Sequence, residues 1–429
     1  MAQRLLSAAR RPLRAVVTDS LYGETPTFKN ALARAAIPFV LAVRPSHGVW
    51  ASEDDPNTPS DMARQIPASG GLRGYVRRVV VTTNPAPLPA ASTRYLVTNL
   101  PHPHWEKRKE RPHMEYRRLG NSGLKVSSVG LGGNTFGSYT DEGASIHVLH
   151  AALDLGITTI DTADIYPTLD DSLRGRSEQI IGRAVRGQRQ HVELLTKVNG
   201  AMGDGPNDRG LSRKHVIAAC EGSLRRLQTD YIDLYQVHAW DTESPLDETL
   251  RALDDLVRAG KVRYIGCSNF AAWQLVRALW VSERHGYAPF ISTQFWYNVI
   301  ERTDERGLWP ACAAFGVGVI PYYPLARGLL AGKYRKGTPV PKGSRFDVLS
   351  NFQKQLTVET LDKVAKLESV ARSSGKTIGQ LAIAWLLSHP GVGTVIVGVT
   401  NTKQLKENIG AVGWSLDNAM MTEIEDIVA

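Results

Sequence analysis

The chain has 429 residues, with 51 Lys plus Arg against 42 Asp plus Glu, 42% hydrophobic and 22% charged residues, an ordinary globular composition with ample length to bury a core. That length allows two or three domains, or one barrel with an extension. Three cysteines, Cys220, Cys267 and Cys312, none in C-x-x-C spacing, exclude a disulfide framework and a thiolate zinc site and fit a reducing, cytoplasmic compartment. No apolar run reaches the roughly 18 residues of a membrane span, and the start MAQRLLSAARRPLRAVV is too interrupted by arginine for a secretory h-region.

The basicity is concentrated at the front. Residues 1–113 hold 16 Lys plus Arg against 8 Asp plus Glu, whereas residues 114–429 hold 35 against 34. The stretches AVVTDSLYGETPTFKNALARAAIPFVLAVRPSHGVW (15–50) and RYLVTNLP (94–101) resemble parts of insertion-sequence DDE transposases with an RNase H-like domain. The resemblance implies that Asp19, ending the apolar run AVV, stands where a metal ligand would be. Such a site needs three carboxylates around two divalent metals, and this segment matches one position. Residues 1–100 are therefore expected to form a truncated, non-catalytic, basic fragment, with at most weak, salt-sensitive contact with nucleic-acid phosphate. The proline- and charge-rich stretch PHPHWEKRKERPH (101–113) reads as a linker.

From Met114 the pattern changes. YRRLGNSGLKVS (116–127) predicts a hairpin turning at NSG, suited to plug one end of a barrel. Eight short apolar runs follow, at 128–132, 157–163, 192–198, 233–238, 262–268, 290–297, 317–323 and 394–399. Amphipathic helical stretches separate them, among them 145–155, 213–228 and 245–260, the last closing on Gly260 as a C-terminal glycine. Alternating strand and helix demands parallel strands with right-handed crossovers. Eight units over residues 114–429 fit a (β/α)8 TIM barrel, α/β in class, better than an open doubly wound sheet.

In such a barrel the chemistry sits at the C-terminal strand ends. The second run ends in DTADIY, giving Asp161 and Tyr166; the third ends in Lys197, the fourth in His238, the fifth in Ser268 and Asn269. Singly, Asp161 reads as well as a helix cap, Tyr166 as a packing residue, Lys197 as a solvated strand end and His238 as a satisfied buried histidine. Together they make chemical sense. An ammonium beside a phenol favours the phenolate and lowers its pKa, a carboxylate balances the ammonium, and a histidine can donate to a carbonyl oxygen. The group is suited to protonating an oxygen while something else attacks the carbon.

DTADIYP, LLTKV, DLYQVH, IGCSNF, YYPLARGLLAGKY and QLKENIGA occur in order between residues 114 and about 412, and this stretch resembles the aldo-keto reductase family throughout. The resemblance implies a tetrad of Asp161, Tyr166, Lys197 and His238, with Tyr166 as general acid in the NADPH-dependent reduction of an aldehyde or ketone. It also implies an NADP(H) molecule over the barrel mouth. Ser268, Asn269 and Gln294 would bind its carboxamide and Tyr322 would stack on the nicotinamide. Lys333 and Arg345 would meet phosphates, although both also read as solvated loop residues. Thr400, Gln404, Glu407 and Asn408 would hold the adenosine end, and Leu325 and Gly398 complete the set.

GLGGNTFG (130–137) does not supply a Rossmann fingerprint, because Thr135 occupies the third glycine position; it reads as a tight strand-end turn. Tyr323 stands where the family commonly has serine, which bears on the phosphate contacts. Tyr139, Trp240 and Trp296 are candidates for the substrate pocket or for core and rim packing. A second class remains open, an NADP(H)-binding sensor like the channel beta subunits that resemble the same family. A third is nucleic-acid processing by the N-terminal segment through Asp19.

Overall fold

The computed structural model describes residues 114–348 and 350–429, together with the backbone of five short strands nearer the N-terminus. The chain divides into two compact units, Met1–Lys109 and Glu110–Ala429. In the first, β1 (Val16–Thr18), β2 (Phe39–Val43), β3 (Arg64–Ala68), β4 (Leu72–Arg78) and β5 (Tyr95–Thr98) form one sheet in the order β1-β2-β5-β4-β3. β1 and β2 run parallel and the remaining pairs antiparallel. Asp19 and the linker 101–113 lie outside the described residues.

The second unit opens with an antiparallel hairpin, β6 (Tyr116–Arg118) and β7 (Lys125–Ser127), in the register Tyr116 to Ser127. Eight parallel strands follow: β8 (Val129–Gly132), β9 (Thr159–Asp161), β10 (Glu193–Val198), β11 (Ile232–Val237), β12 (Val262–Ser268), β13 (Phe290–Trp296), β14 (Gly318–Tyr322) and β15 (Val395–Gly398). They close into a barrel when β15 pairs with β8. This is the predicted (β/α)8 barrel, each predicted run matching one strand, with β11 beginning one residue earlier, at Ile232. The seventh strand stops before Tyr323 because that residue takes a left-handed backbone, φ 55°, which cannot continue a ladder.

Helices α1 (Glu142–Asp154), α2 (Arg176–Ala184), α3 (Arg213–Leu227), α4 (Leu246–Arg258), α5 (Ala272–His285), α6 (Leu308–Phe315), α7 (Val358–Ser373), α8 (Ile378–Leu387), α9 (Thr402–Ile409) and α10 (Asn418–Val428) accompany the strands. Their ends follow local chemistry. Asp141 caps α1 by accepting from the Ala144 amide at 2.8 Å, Thr377 and Gln380 form a reciprocal capping box on α8, and Gly260 takes φ 73° just past α4. The apolar layer between strands and helices includes fully buried Trp385, Tyr235 and Phe295.

A separate apolar cluster fills the barrel's lower interior: Leu119 and Val126 of the hairpin pack against Leu195, Leu234, Ile320 and Ile396, contributed by β10, β11, β14 and β15. The hairpin therefore plugs the N-terminal end. The glycines of GLGGNTFG serve packing. A Cβ on Gly130 or Gly132 would come within 2.8 or 2.9 Å of Ile396, so these glycines let β8 seat against β15.

Candidate active site

The floor of the barrel mouth is built from inward-facing residues at the ends of β9, β10, β11 and β13. Register places Asp161 beside Leu195, and Lys197 beside Gln236. Lys197 is wholly sealed from solvent, and its Nζ donates to Asp161 Oδ2 at 2.6 Å and to the Thr162 carbonyl at 2.8 Å. The other carboxylate oxygen accepts from the amides of Gln294 at 2.9 Å and Gln236 at 3.3 Å. An ammonium and two amides thus share one buried carboxylate, the arrangement a buried ion pair needs. Gln236 was not singled out in the sequence, although strand alternation from inward-facing Leu234 points to it.

Tyr166 lies past the end of β9, in the wall of the mouth. Lys197 Nζ is 5.1 Å from the centre of its ring, and the His238 ring meets it edge-on at 5.7 Å. The expectation that Lys197 lowers the phenol pKa is corrected here. Burial, reinforced by the Asp161 carboxylate and then by Tyr323 and Tyr322, pushes the Tyr166 phenol well above its usual value. Burial also lowers Lys197, against the pull of Asp161. His238 is pushed down to about 3, by burial first and by Lys197 second. At neutral pH the site therefore holds a protonated phenol and a neutral imidazole, both able to donate.

The His238 amide donates to the Val198 carbonyl at 2.8 Å, and its own carbonyl accepts from Asn269 Nδ2 at 3.0 Å. Asn269 sits at φ 56°, a conformation asparagine tolerates better than most residues. Its Nδ2 also donates to Ser268 Oγ, and its Oδ1 accepts from the Tyr322 hydroxyl at 2.8 Å. The side chains expected to hold a carboxamide are thus partly engaged with one another. Gln294 has its nitrogen on Asp161 and lines the mouth.

A cavity of about 700 Å³ opens above this floor. Asp161, Tyr166, His238, Ser268, Asn269, Gln294 and Tyr322 line its inner end, with Lys197 sealed beneath. Leu325, Lys333, Arg345, Gly398, Thr400, Gln404, Glu407 and Asn408 line the remainder. The last three share one face of α9 by their spacing, and Asn401 caps that helix by accepting from the Gln404 amide at 3.0 Å. Lys333 Nζ lies 5.4 Å from the Tyr334 ring centre. Arg345 lies over Tyr323 and Tyr139, at 5.6 and 5.8 Å.

This donor set fits a dinucleotide. It offers an aromatic face at Tyr322, amide and hydroxyl groups beside it, and two cations that form no ion pair among the described residues. Space is also open where a Cβ on Gly398 would point. Of the aromatic candidates, Tyr139 lines the cavity. Trp240 instead packs edge-on against Phe270 and Trp273. Trp296 carries a stacked guanidinium, that of Arg327, a residue the sequence reading passed over. Among the described residues no three His, Cys, Asp or Glu side chains cluster to hold a metal ion.

Comparison with known proteins agrees with this architecture. The profile described as the aldo/keto reductase family matches residues 128–429. The uncharacterized oxidoreductase YrpG of Bacillus subtilis is 40% identical over 324 residues, covering 73% of this chain and 96% of that protein. A probable voltage-gated potassium channel subunit beta of Arabidopsis thaliana is 37% identical, covering 70% and 91%. Versiconal hemiacetal acetate reductase of Aspergillus parasiticus is 36% identical, covering 70% and 92%.

Proposed function

This chain belongs to the aldo/keto reductase family, and within it we propose an NADPH-dependent reductase that converts an aldehyde or ketone to an alcohol, with Tyr166 as proton donor. One observation carries the reading: the Tyr166 ring lies 5.1 Å from the sealed Lys197 ammonium and 5.7 Å from the neutral His238 ring. Ser268, Asn269, Gln294 and Tyr322 would hold the nicotinamide end of the cofactor, and Thr400, Gln404, Glu407 and Asn408 the adenosine end. Lys333 and Arg345 favour NADP(H) over NAD(H), because a 2′-phosphate rewards a bidentate arginine and a second cation. When bound, the reduced nicotinamide supplies a hydride to the carbonyl carbon.

The residues do the rest. His238, neutral, donates a hydrogen bond to the carbonyl oxygen and orients it. Tyr166 gives that oxygen its proton as negative charge develops there, and the Lys197 ammonium stabilises the phenolate left behind. Asp161 fixes Lys197 and balances its charge, with Gln236 and Gln294 holding the carboxylate. Three buried, unpaired cysteines fit a cytoplasmic protein, and no helix among the described residues is long and apolar enough to cross a membrane. The catalytic unit begins at Met114, and a chain started there keeps turnover. Loss of turnover in a folded barrel would show that residues 1–113 contribute.

Tyr166→Phe is the test. NADPH consumption with a panel of aromatic and aliphatic aldehydes should fall by about 100-fold or more, with NADPH binding retained; a variant that still turns over removes Tyr166 from its role. The likeness to a channel beta subunit supports a second reading, NADPH binding that serves sensing. Tight NADPH binding with negligible turnover on every carbonyl and a stable partner in a pull-down would favour it.

A further inference from the structure

We propose that Ser292 and Gln236 form a buried hydrogen-bonded column beneath the cavity floor that holds Asp161 in place while a ligand engages Gln294, so that both are positioning residues for proton transfer from Tyr166. This rests on the reductase reading and deepens it. Asp161 Oδ1 accepts from two amides, Gln294 at 2.9 Å and Gln236 at 3.3 Å, and the two are not equivalent. Gln294 lines the cavity, so a ligand's carboxamide can compete for its side chain. Gln236 is fully buried and is not among the lining residues, so its amide stays on Asp161 whether or not a ligand is bound.

The other end of the Gln236 amide points to Ser292. Among the described residues Gln236 Oε1 and Ser292 Oγ are both buried without a hydrogen-bond partner. One can only accept and the other can donate, and either is costly to leave unpaired in the interior. Two features of the sheet bring them together. Gln236 is in register with Gly266 of β12, and a Cβ on Gly266 would lie 2.7 Å from Ser292 Oγ and 3.4 Å from Gln236 Cγ. Serine and glutamine therefore flank the same glycine, with no side chain between them. The second feature is a bulge: Ile265 of β12 pairs with Phe290, whereas Cys267 pairs with Thr293, so β13 carries an extra residue over this step. A bulge re-aims a side chain, and here it turns the Ser292 hydroxyl over Gly266.

The column runs in one direction. Ser292 Oγ donates to Gln236 Oε1, Gln236 Nε2 donates to Asp161 Oδ1, and the other carboxylate oxygen holds Lys197 Nζ at 2.6 Å. Hydrogen bonds in such a chain polarise one another. The column fixes the carboxylate, the carboxylate fixes the ammonium, and the ammonium stabilises the phenolate that Tyr166 becomes. Neither Ser292 nor Gln236 lines the cavity, so losing either should slow the chemical step and leave binding intact.

The test uses the full chain as wild type, Ser292→Ala, Gln236→Met, which keeps the volume and removes the amide, and the double variant. Reduction of the fastest aldehyde in the aromatic and aliphatic panel is followed under single-turnover conditions, which separate chemistry from product release, with KM and the Kd for NADPH measured alongside. Gln236→Met should slow the single-turnover step by about 10-fold and Ser292→Ala by about threefold, with KM and Kd within about twofold of wild type. Because Ser292 acts through Gln236, Ser292→Ala should have no further effect once Gln236→Met is present. A wild-type rate in either single variant overturns the proposal, and so do losses that multiply in the double variant. Weakened NADPH binding in step with the rate also overturns it, by making Gln236 part of the cofactor site. A wild type that binds NADPH but reduces no aldehyde of the panel overturns the reductase reading instead. Urea denaturation of the same proteins then decides the column: non-additive losses sustain it and additive losses overturn it.

Discussion

Asp161 and Lys197 meet at 2.6 Å with the lysine wholly sealed from solvent, so each charge exists in the folded protein because of the other. Removing either partner leaves an uncompensated buried charge, which destabilises by about 3–5 kcal/mol. Asp161→Asn and Lys197→Met should each show a loss of that size in urea denaturation. The double variant should lose much less than the sum, because it leaves no orphaned charge. Strictly additive losses would mean that the two residues are not coupled.

His238 gives stability a pH dependence of definite sign. Its folded pKa is about 3 against an ordinary 6.5. Between those values the unfolded chain takes up a proton that the folded protein refuses, so this group's contribution is present above about pH 6.5 and is lost as pH falls toward 3. The slope for one such group is about 1.4 kcal/mol per pH unit. Comparing wild type with His238→Gln in urea at pH 6.5 and 5 isolates it, and the variant should lose less on acidification. Parallel behaviour would place the His238 pKa near its ordinary value.

The barrel was legible in the sequence because parallel strands buried on both faces read as short apolar runs, and because Gly260 and the NSG turn carry their own backbone preferences. The gathering of Asp161, Tyr166, Lys197 and His238 was legible because strand order alone brings the ends of β9, β10 and β11 together. What escaped was set by tertiary contact. Strand alternation turns Gln236 inward, but its role comes from its register with Lys197. Arg327 stacks on Trp296 and Phe352, 31 and 25 positions away in sequence. The Tyr166 pKa went the other way from expectation because proximity of Lys197 could be inferred from strand order, whereas the depth of burial could not.

Asp164 works against His238. It is fully buried, its Oδ1 accepts from the Ile165 amide at 2.8 Å, and its Oδ2 has no partner among the described residues. Burial, and then the nearby Glu178 carboxylate, raises its pKa from 3.8 to about 8. Between those values the folded protein holds a proton that the unfolded chain has released, so stability falls as pH rises across that window. Asp164→Asn mimics the protonated acid and should remove this dependence. The variant should therefore match the wild type near pH 4 and exceed it in urea resistance at pH 8 to 9. A variant no more stable than wild type at pH 9 would show that Asp164 ionises without difficulty where it lies.

The plug offers a test with its own control. Gly120 turns the hairpin at φ 57°, and a Cβ there would lie 2.5 Å from the Gly318 nitrogen and 2.6 Å from the Gly316 and Ile291 carbonyl oxygens. All three are backbone atoms of the barrel's lower rim, which cannot step aside as a side chain can. Gly120→Ala should therefore combine backbone strain with a clash and cost about 2 kcal/mol or more. In the same hairpin, a Cβ on Gly123 would meet only the Tyr264 hydroxyl, at 3.6 Å, an ordinary contact. Gly123→Ala should stay within about 1 kcal/mol of wild type. Urea denaturation of the two variants side by side decides the matter: equal losses would mean that the hairpin seats loosely and that Leu119 and Val126, rather than the turn, fix the plug.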